Sequence, residues 1–229
     1  AAVGNSDQAP DEPWRYAFYP AALPHVIGVS AVGRDGSVPI YSNRDAVFND
    51  LAAPGADIVS TFPRRLTHER PGCFEQGYTP CGTADFRPTD GTSFAAPQVS
   101  AAAATLLAVH PELRPEQVAA LLERSSVDAK TSSGCSRCGI GRDAYTGWGT
   151  LDVAGALDLS GTWLPAADTL EPNDDTGAEA RPLSGSWRRR AVAATVDFWD
   201  DQDDVYAVYL RAGSRLDVSV VGDGGDLSL

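Results

Sequence analysis

Apolar and polar positions along the chain change period several times, and each change marks a predicted element. Residues 26–32, Val-Ile-Gly-Val-Ser-Ala-Val, form a short β-branched run after a Pro-rich turn and predict a buried strand. Two further short apolar runs, 48–52 and 58–61, flank the turn signal Pro54-Gly55 and predict two more strands. Residues 97–110 are small and apolar on all sides, which predicts a helix buried within a domain. After Pro111, Pro115 suits a first helical position, and Val118, Leu121 and Leu122 repeat at helical spacing through Arg124. That second helix is expected to be amphipathic, with Glu116, Gln117 and Glu123 outward. A last short helix is expected near 153–157, following Tyr145-Thr146-Gly147-Trp148-Gly149.

Short strands between covering helices define an α/β class for the first part of the chain. Pro165, Pro172 and the cluster Glu171-Pro172-Asn173-Asp174-Asp175 give the following stretch linker composition, and the linker is placed at 159–170. Beyond it, 191–196, 205–210 and 216–220 alternate at period two around Asp- and Gly-rich turns, the pattern of a partial all-β module over 171–229. The first domain is placed at 1–158.

Composition narrows the function classes. The chain has 229 residues, 43% hydrophobic and 21% charged, which suffices for one sizeable core. A net charge of −13 excludes the basic surface that nucleic acid requires. No apolar run is read as a membrane span. Cys73, Cys81, Cys135 and Cys138 allow three disulfide pairings and suit an oxidising compartment. Cys73 with Cys81 and Cys135 with Cys138 is one pairing; a zinc site or a redox Cys-x-x-Cys motif are the other readings of the same residues.

The stretch Gly91-Thr92-Ser93-Phe94-Ala95-Ala96-Pro97 concentrates the chemistry. It puts a hydroxyl where a Gly-bearing turn meets the start of a helix. Gly91 lets the backbone approach a substrate without a Cβ clash. The helix N-terminus offers unpaired N–H groups and positive potential where an oxyanion would form. Pro97 is expected in an early turn, whose N–H groups have no intrahelical partner. Taken by itself, Ser93 has a second reading as a helix cap.

The seven-residue string matches every fixed position of Gly-Thr-Ser-x-Ala-x-Pro and so resembles the nucleophile motif of the subtilisin-like serine peptidases. The resemblance extends over most of 1–158. Ala2-Val3-Gly4-Asn5-Ser6 is similar to the family's oxyanion-hole strand, and Tyr19-Pro20-Ala21, Leu51-Ala52-Ala53-Pro54-Gly55 and Gly147-Trp148-Gly149-Thr150-Leu151-Asp152-Val153 follow in the family's order. It implies a mostly parallel central sheet with helices on both faces, of which this chain holds the C-terminal part. It also implies that Ser93 is the nucleophile, with Asn5 and the Ser93 N–H as oxyanion donors. Ala2, Val3, Gly4, Gly91 and Thr92 would line the substrate site, and Tyr19–Pro20 would be a cis bond. The expected activity is peptide-bond hydrolysis by a secreted endopeptidase acting on peptide or protein substrates, with any signal peptide upstream of Ala1.

A triad also needs a base and a carboxylate behind it. In the family these come from Asp-x-Gly and His-Gly-x-His strings earlier in the chain, and neither string occurs here. His25, His68 and His110 are expected to be structural or solvated. The chain alone is therefore expected to be inactive and to depend on the missing N-terminal half of the domain. The competing readings are a pseudopeptidase that binds peptides or partners without cleaving them, and a Cys-dependent redox protein. Leu170-Glu171-Pro172-Asn173-Asp174, Asp203-Asp204-Val205-Tyr206 and Leu210-Arg211-Ala212-Gly213-Ser214 resemble the first part of the bacterial pre-peptidase C-terminal domain, which implies a sandwich-like fold for the all-β module. No cofactor is required and no metal site is assigned; Asp200, Asp201, Asp203 and Asp204 suit either a structural calcium or a solvated acidic turn.

Overall fold

A computed structural model describes residues 1–6, 12–61 and 86–162, and in the C-terminal part 169–171, 173, 178, 180–183, 185, 189–196 and 204–222. The chain divides into two compact units, Ala1–Leu164 and Pro165–Leu229.

Strands β1 (Val29–Val32) and β2 (Leu51–Pro54) pair in parallel, Val29 opposite Leu51. Parallel bridges extend the sheet on both sides, from Ala2 to Val29 and from Ala52 to Thr150. The order across the sheet is thus Ala2, β1, β2, Thr150, and the parallel α/β expectation holds for it. β2 begins later than the apolar run at 48–52 suggests. The Asp45 carboxylate takes the N–H groups of Val47 and Phe48 at 2.9 and 3.0 Å, which folds that run into a turn. Strands β3 (Ile58–Thr61) and β4 (Phe86–Thr89) form a separate antiparallel ribbon.

Helix α1 (Thr92–Val109) packs across β1 and β2, and α2 (Pro115–Ser125) and α3 (Val153–Ser160) pack on α1 and each other. Its start is five residues earlier than the apolar run suggests. Pro97 accordingly sits in the helix interior rather than at its first turn. The missing N–H deprives the carbonyl four residues back, that of Ser93, of its intrahelical bond.

The buried row of α1 is Thr92, Ala95, Val99, Ala102 and Leu106, and the β1–β2 pair it packs on carries the buried Val29, Ala31, Leu51 and Ala53 on one face. Alanines on both sides let helix and sheet approach closely, and Leu106 fills the far end. Most of the rest of α1 is exposed, including Ala101, Ala104, Leu107 and Val109, so the helix is not covered on all sides as its composition predicts. At 18 residues it also has the minimum length and apolarity of a membrane span, which corrects the reading that no run reaches it. Its packed face is taken by β1 and β2.

The charged face of α2 departs from expectation at Glu123. Glu116 and Gln117 stay in the first turn, where the Gln117 side chain accepts the Arg114 N–H at 3.1 Å. Glu123 instead meets the Trp148 indole and lies near Asp50 and Arg142. Asp50 accepts the Gly28 N–H at 2.7 Å and pairs with Arg142 at 3.4 Å, and Arg142 also donates to the Val47 and Asn49 carbonyls at 2.7 and 3.2 Å. Helical spacing reports the stripe facing other helices, not a loop closing over the opposite side.

Burial, then the charge of Asp50, pushes the Glu123 carboxyl from 4.5 up to about 8, against the opposing pull of Arg142 and Trp148. A folded-state value above the unfolded one means that the folded chain holds the extra proton. Stability should therefore fall as pH rises through that window, by at most roughly 1.4 kcal/mol per pH unit from this group. Urea midpoints at pH 5 and pH 8 check it: Glu123→Gln should flatten the decline, and a parallel decline in both proteins would place its source elsewhere.

The disulfide Cys135–Cys138 closes the loop between α2 and α3. Cys73 and Cys81 lie outside the described residues, as do Asp200, Asp201 and Asp203. In the second unit β5 (Arg181–Pro182) pairs in parallel with β6 (Tyr206–Ala207). Residues 191–196 and 216–220 carry no ladder, so among the described residues the alternating runs there are not strands.

Candidate active site

The C-terminal ends of β1 and β2 and the N-terminus of α1 converge on one point. Gly55, just past β2, donates its N–H to the Val32 carbonyl at 3.0 Å, and its own carbonyl accepts the Gly91 N–H at 2.8 Å. The Tyr41 hydroxyl donates to the same Gly55 carbonyl at 2.8 Å. Burial and the nearby Asp90 charge push the Tyr41 phenol up to about 12, so it remains a donor at any working pH. Thus the sheet end and the turn before Ser93 are stitched together through one carbonyl.

Gly91 is the residue before the helix, with φ 150°, a conformation that a side chain disfavours. A Cβ there would stand 3.2 Å from Asn5 Nδ2. Ser93 is the second helical residue and makes no capping bond, which removes its reading as a helix cap. Among the described residues neither its hydroxyl nor its N–H has a partner, and the side chain is exposed.

Asn5 reaches this point from the other end of the sequence. Its backbone bridges antiparallel to Ser42, and the next residue, Ser6, donates to the Tyr41 carbonyl at 2.8 Å. Its side-chain oxygen accepts both the Thr92 N–H at 2.9 Å and the Thr92 hydroxyl at 2.8 Å. A backbone N–H can only donate, so the atom facing Thr92 must be Oδ1 and the amide orientation is fixed. The Nδ2 donors then point away from Thr92 and have no partner among the described residues.

Ser93, Asn5, Gly91 and Thr92 are therefore brought together. Thr92 is fully buried, and the bonds it makes run to Asn5 rather than outward. Ala2, Val3 and Gly4 form the strand leading to Asn5: Val3 donates to the Val29 carbonyl at 3.0 Å and accepts the Phe18 N–H at 2.8 Å. Gly4, at φ 108°, lies flush against the Phe18 ring, 2.5 Å from where its Cβ would be. Tyr19–Pro20 is a cis bond.

Of the histidines, His110 ends α1, seventeen residues and so about 25 Å from Ser93 at the helical rise, with its ring 3.2 Å from Glu112. His25 sits in a left-handed turn before β1, at the sheet end opposite the serine. His68 lies outside the described residues. Sequence reasoning missed Tyr41 and Gln98, whose amide donates to the Pro54 and Phe94 carbonyls at 2.6 and 2.8 Å and ties α1 to the end of β2. A single polar residue outside a motif gives no signal.

The chain thus presents an exposed serine at a helix N-terminus, with the Asn5 amide held beside it through Thr92, on an α/β scaffold. Residues 1–149 match the family model of the subtilases, the peptidase S8 family, and the chain belongs to that family. It is 32% identical over 165 residues to a probable subtilase-type serine protease of Deinococcus radiodurans, covering 71% of this chain and 21% of that protein. It is 36% identical over 144 residues to fervidolysin of Fervidobacterium pennivorans, covering 61% and 19%. The crystal structure of fervidolysin, described as a keratinolytic enzyme related to subtilisin, superposes with TM-score 0.51 at 31% identity over 72% of this chain and 22% of that one. An extracellular protease of Xanthomonas campestris is 31% identical over 128 residues, 55% of this chain and 20% of that protein. The chain thus spans about a fifth of the length of the curated relatives it matches. The family match ends at residue 149 and leaves the second unit unassigned.

Proposed function

We propose that this chain is the nucleophile-bearing portion of a secreted serine endopeptidase. Ser93 attacks the scissile carbonyl, and the resulting oxyanion is held by Asn5 Nδ2 and the Ser93 N–H. The observation that carries the reading is the pair of hydrogen bonds from Thr92 to Asn5 Oδ1, because it turns the amide donors, which have no partner among the described residues, away from Thr92. Preorganised donors at the site of developing charge are the largest single contribution to acyl-transfer catalysis. Ala2, Val3, Gly4 and Gly91 would flank the substrate on either side of that point, and Thr92 acts by holding Asn5. No metal or other cofactor is required for this chemistry.

The base and its carboxylate come from a further part of the polypeptide. The uncovered apolar side of α1, with Leu107 41% and Val109 57% exposed, supports such a partner. Export agrees with the disulfide and with the extracellular protease among the relatives. In the second unit, the resemblance to the pre-peptidase C-terminal domain remains a proposal of the same kind.

The test is labelling of the full-length polypeptide by a fluorophosphonate, which should mark Ser93 and leave this chain by itself unmarked. A folded full-length protein that takes no label would overturn the reading in favour of a pseudopeptidase.

A further inference from the structure

The β3–β4 ribbon inverts the usual placement of apolar and polar side chains. Register puts Thr61 opposite Phe86 and Val59 opposite Pro88 on one face, and Ser60 opposite Arg87 and Ile58 opposite Thr89 on the other. The outward row carries Val59, 68% exposed, and Phe86, 67% exposed, whereas the inward row holds Arg87, 6% exposed, beside a half-buried Ile58. A ribbon that only had to fold would bury the valine and phenylalanine and expose the arginine. Such a violation marks a surface kept for contact.

The ribbon's place in the chain says which contact. β4 ends at Thr89, and the chain turns through Asp90 and Gly91 into α1, whose second residue is Ser93. Its root is fixed on the site by the Asp57 N–H on the Asp90 carboxylate at 2.7 Å and the Gly91 N–H on the Gly55 carbonyl at 2.8 Å. Resting on the proposed function, the acyl side of a substrate lies along Ala2–Gly4, so a strand reaching the nucleophile from the ribbon flanks the leaving-group side.

We propose that the outward face carrying Val59 and Phe86 binds the leaving-group side of an extended polypeptide substrate through apolar side chains. Pro88, opposite Val59, and Phe86 precede Ser93 by five and seven residues, at most about 16 and 23 Å along an extended strand. A substrate strand has the same rise, so the contacts fall within about seven residues beyond the scissile bond. Side chains two apart on such a strand share one face and meet Val59 and Phe86 in turn.

The experiment measures fluorescence anisotropy of labelled peptides on the full-length protein carrying Ser93→Ala, which binds without turnover. One peptide ends two residues beyond the scissile bond, and the other extends eight residues with alternating Val and Ser. The long peptide should bind more tightly. Adding Val59→Thr with Phe86→Thr, both strand formers at exposed positions, should weaken it about tenfold and leave the short peptide unchanged. Equal affinity of the long peptide for both proteins overturns the proposal. So does weakening of both peptides together, which would report a damaged site, or doubling of the molecular mass through this face with peptide binding unaffected. Hydrolysis by the protein with Ser93 intact is scored separately, so its absence defeats the proposed function while the binding arms still decide the ribbon.

Discussion

Replacing Ser93 with Ala in the complete enzyme is expected to lower peptide hydrolysis by about 10⁶-fold, the loss found when the equivalent serine is removed from subtilisin, a relative in this family. The size follows from how the groups act. A base beside the serine has nothing to activate once the hydroxyl is gone, so the loss equals that of removing the whole triad rather than one of three shares. Residual acceleration of about 10³–10⁴ over water comes from oxyanion donors and substrate binding, which the substitution leaves in place. Ser93 is exposed as the second residue of α1 and among the described residues its side chain supports no other group, so the unfolding midpoint should not move. Measuring kcat with a peptide substrate, with peptide binding as a control, checks both halves. Retention of more than a thousandth of the activity would name another nucleophile.

The same substitution separates the legible from the illegible. Ser93 could be singled out because a seven-residue string with five fixed residue types has few ways to arise, and Asn5 because Gly-Asn follows an apolar strand in the family's order. Neither their proximity nor the orientation of the amide was available from spacing. They lie 88 positions apart in sequence, and what joins them is Thr92, read from the motif as a substrate-lining residue. Its two bonds to Asn5 Oδ1 depend on how α1 begins, and the start of α1 was misplaced because Thr92, Ser93 and Phe94 lack the small apolar character of the residues after Pro97. Tyr41 was hidden for a related reason. Its hydroxyl reaches the Gly55 carbonyl across a loop, and loops obey no period.

In the scaffold, short β-branched runs announced β1 and β3 as strands, and for β1 alone the same apolar composition also matched its burial. α2 was announced by its stripe. Glu123 shows where such reading ends, because burial by a loop that includes Arg142 and Trp148 is a tertiary event with no helical periodicity. The exposed flank of α1 is the converse case: composition predicts what a surface can bury, while its partner must be present for burial to occur.

Removing the Asn5 donor gives the second large effect. Asn5→Leu is expected to lower kcat by about 10²–10³ with little change in KM, the magnitude for loss of one oxyanion-hole donor, established in this family. The donor meets charge only as the carbonyl oxygen becomes an oxyanion, so the interaction is absent from the ground state and belongs to kcat. Thr92→Val sharpens the point. It keeps the N–H on Oδ1 at 2.9 Å and deletes the hydroxyl at 2.8 Å, so one of two restraints on the amide is lost. A drop in kcat of roughly tenfold, one hydrogen bond's worth, is expected. If Thr92 acts through Asn5, then adding Thr92→Val to Asn5→Leu should cost nothing further, because there is no amide left to aim. If the two losses multiply instead, Thr92 has a separate role, such as direct contact with substrate, and the aimed amide no longer accounts for the pair.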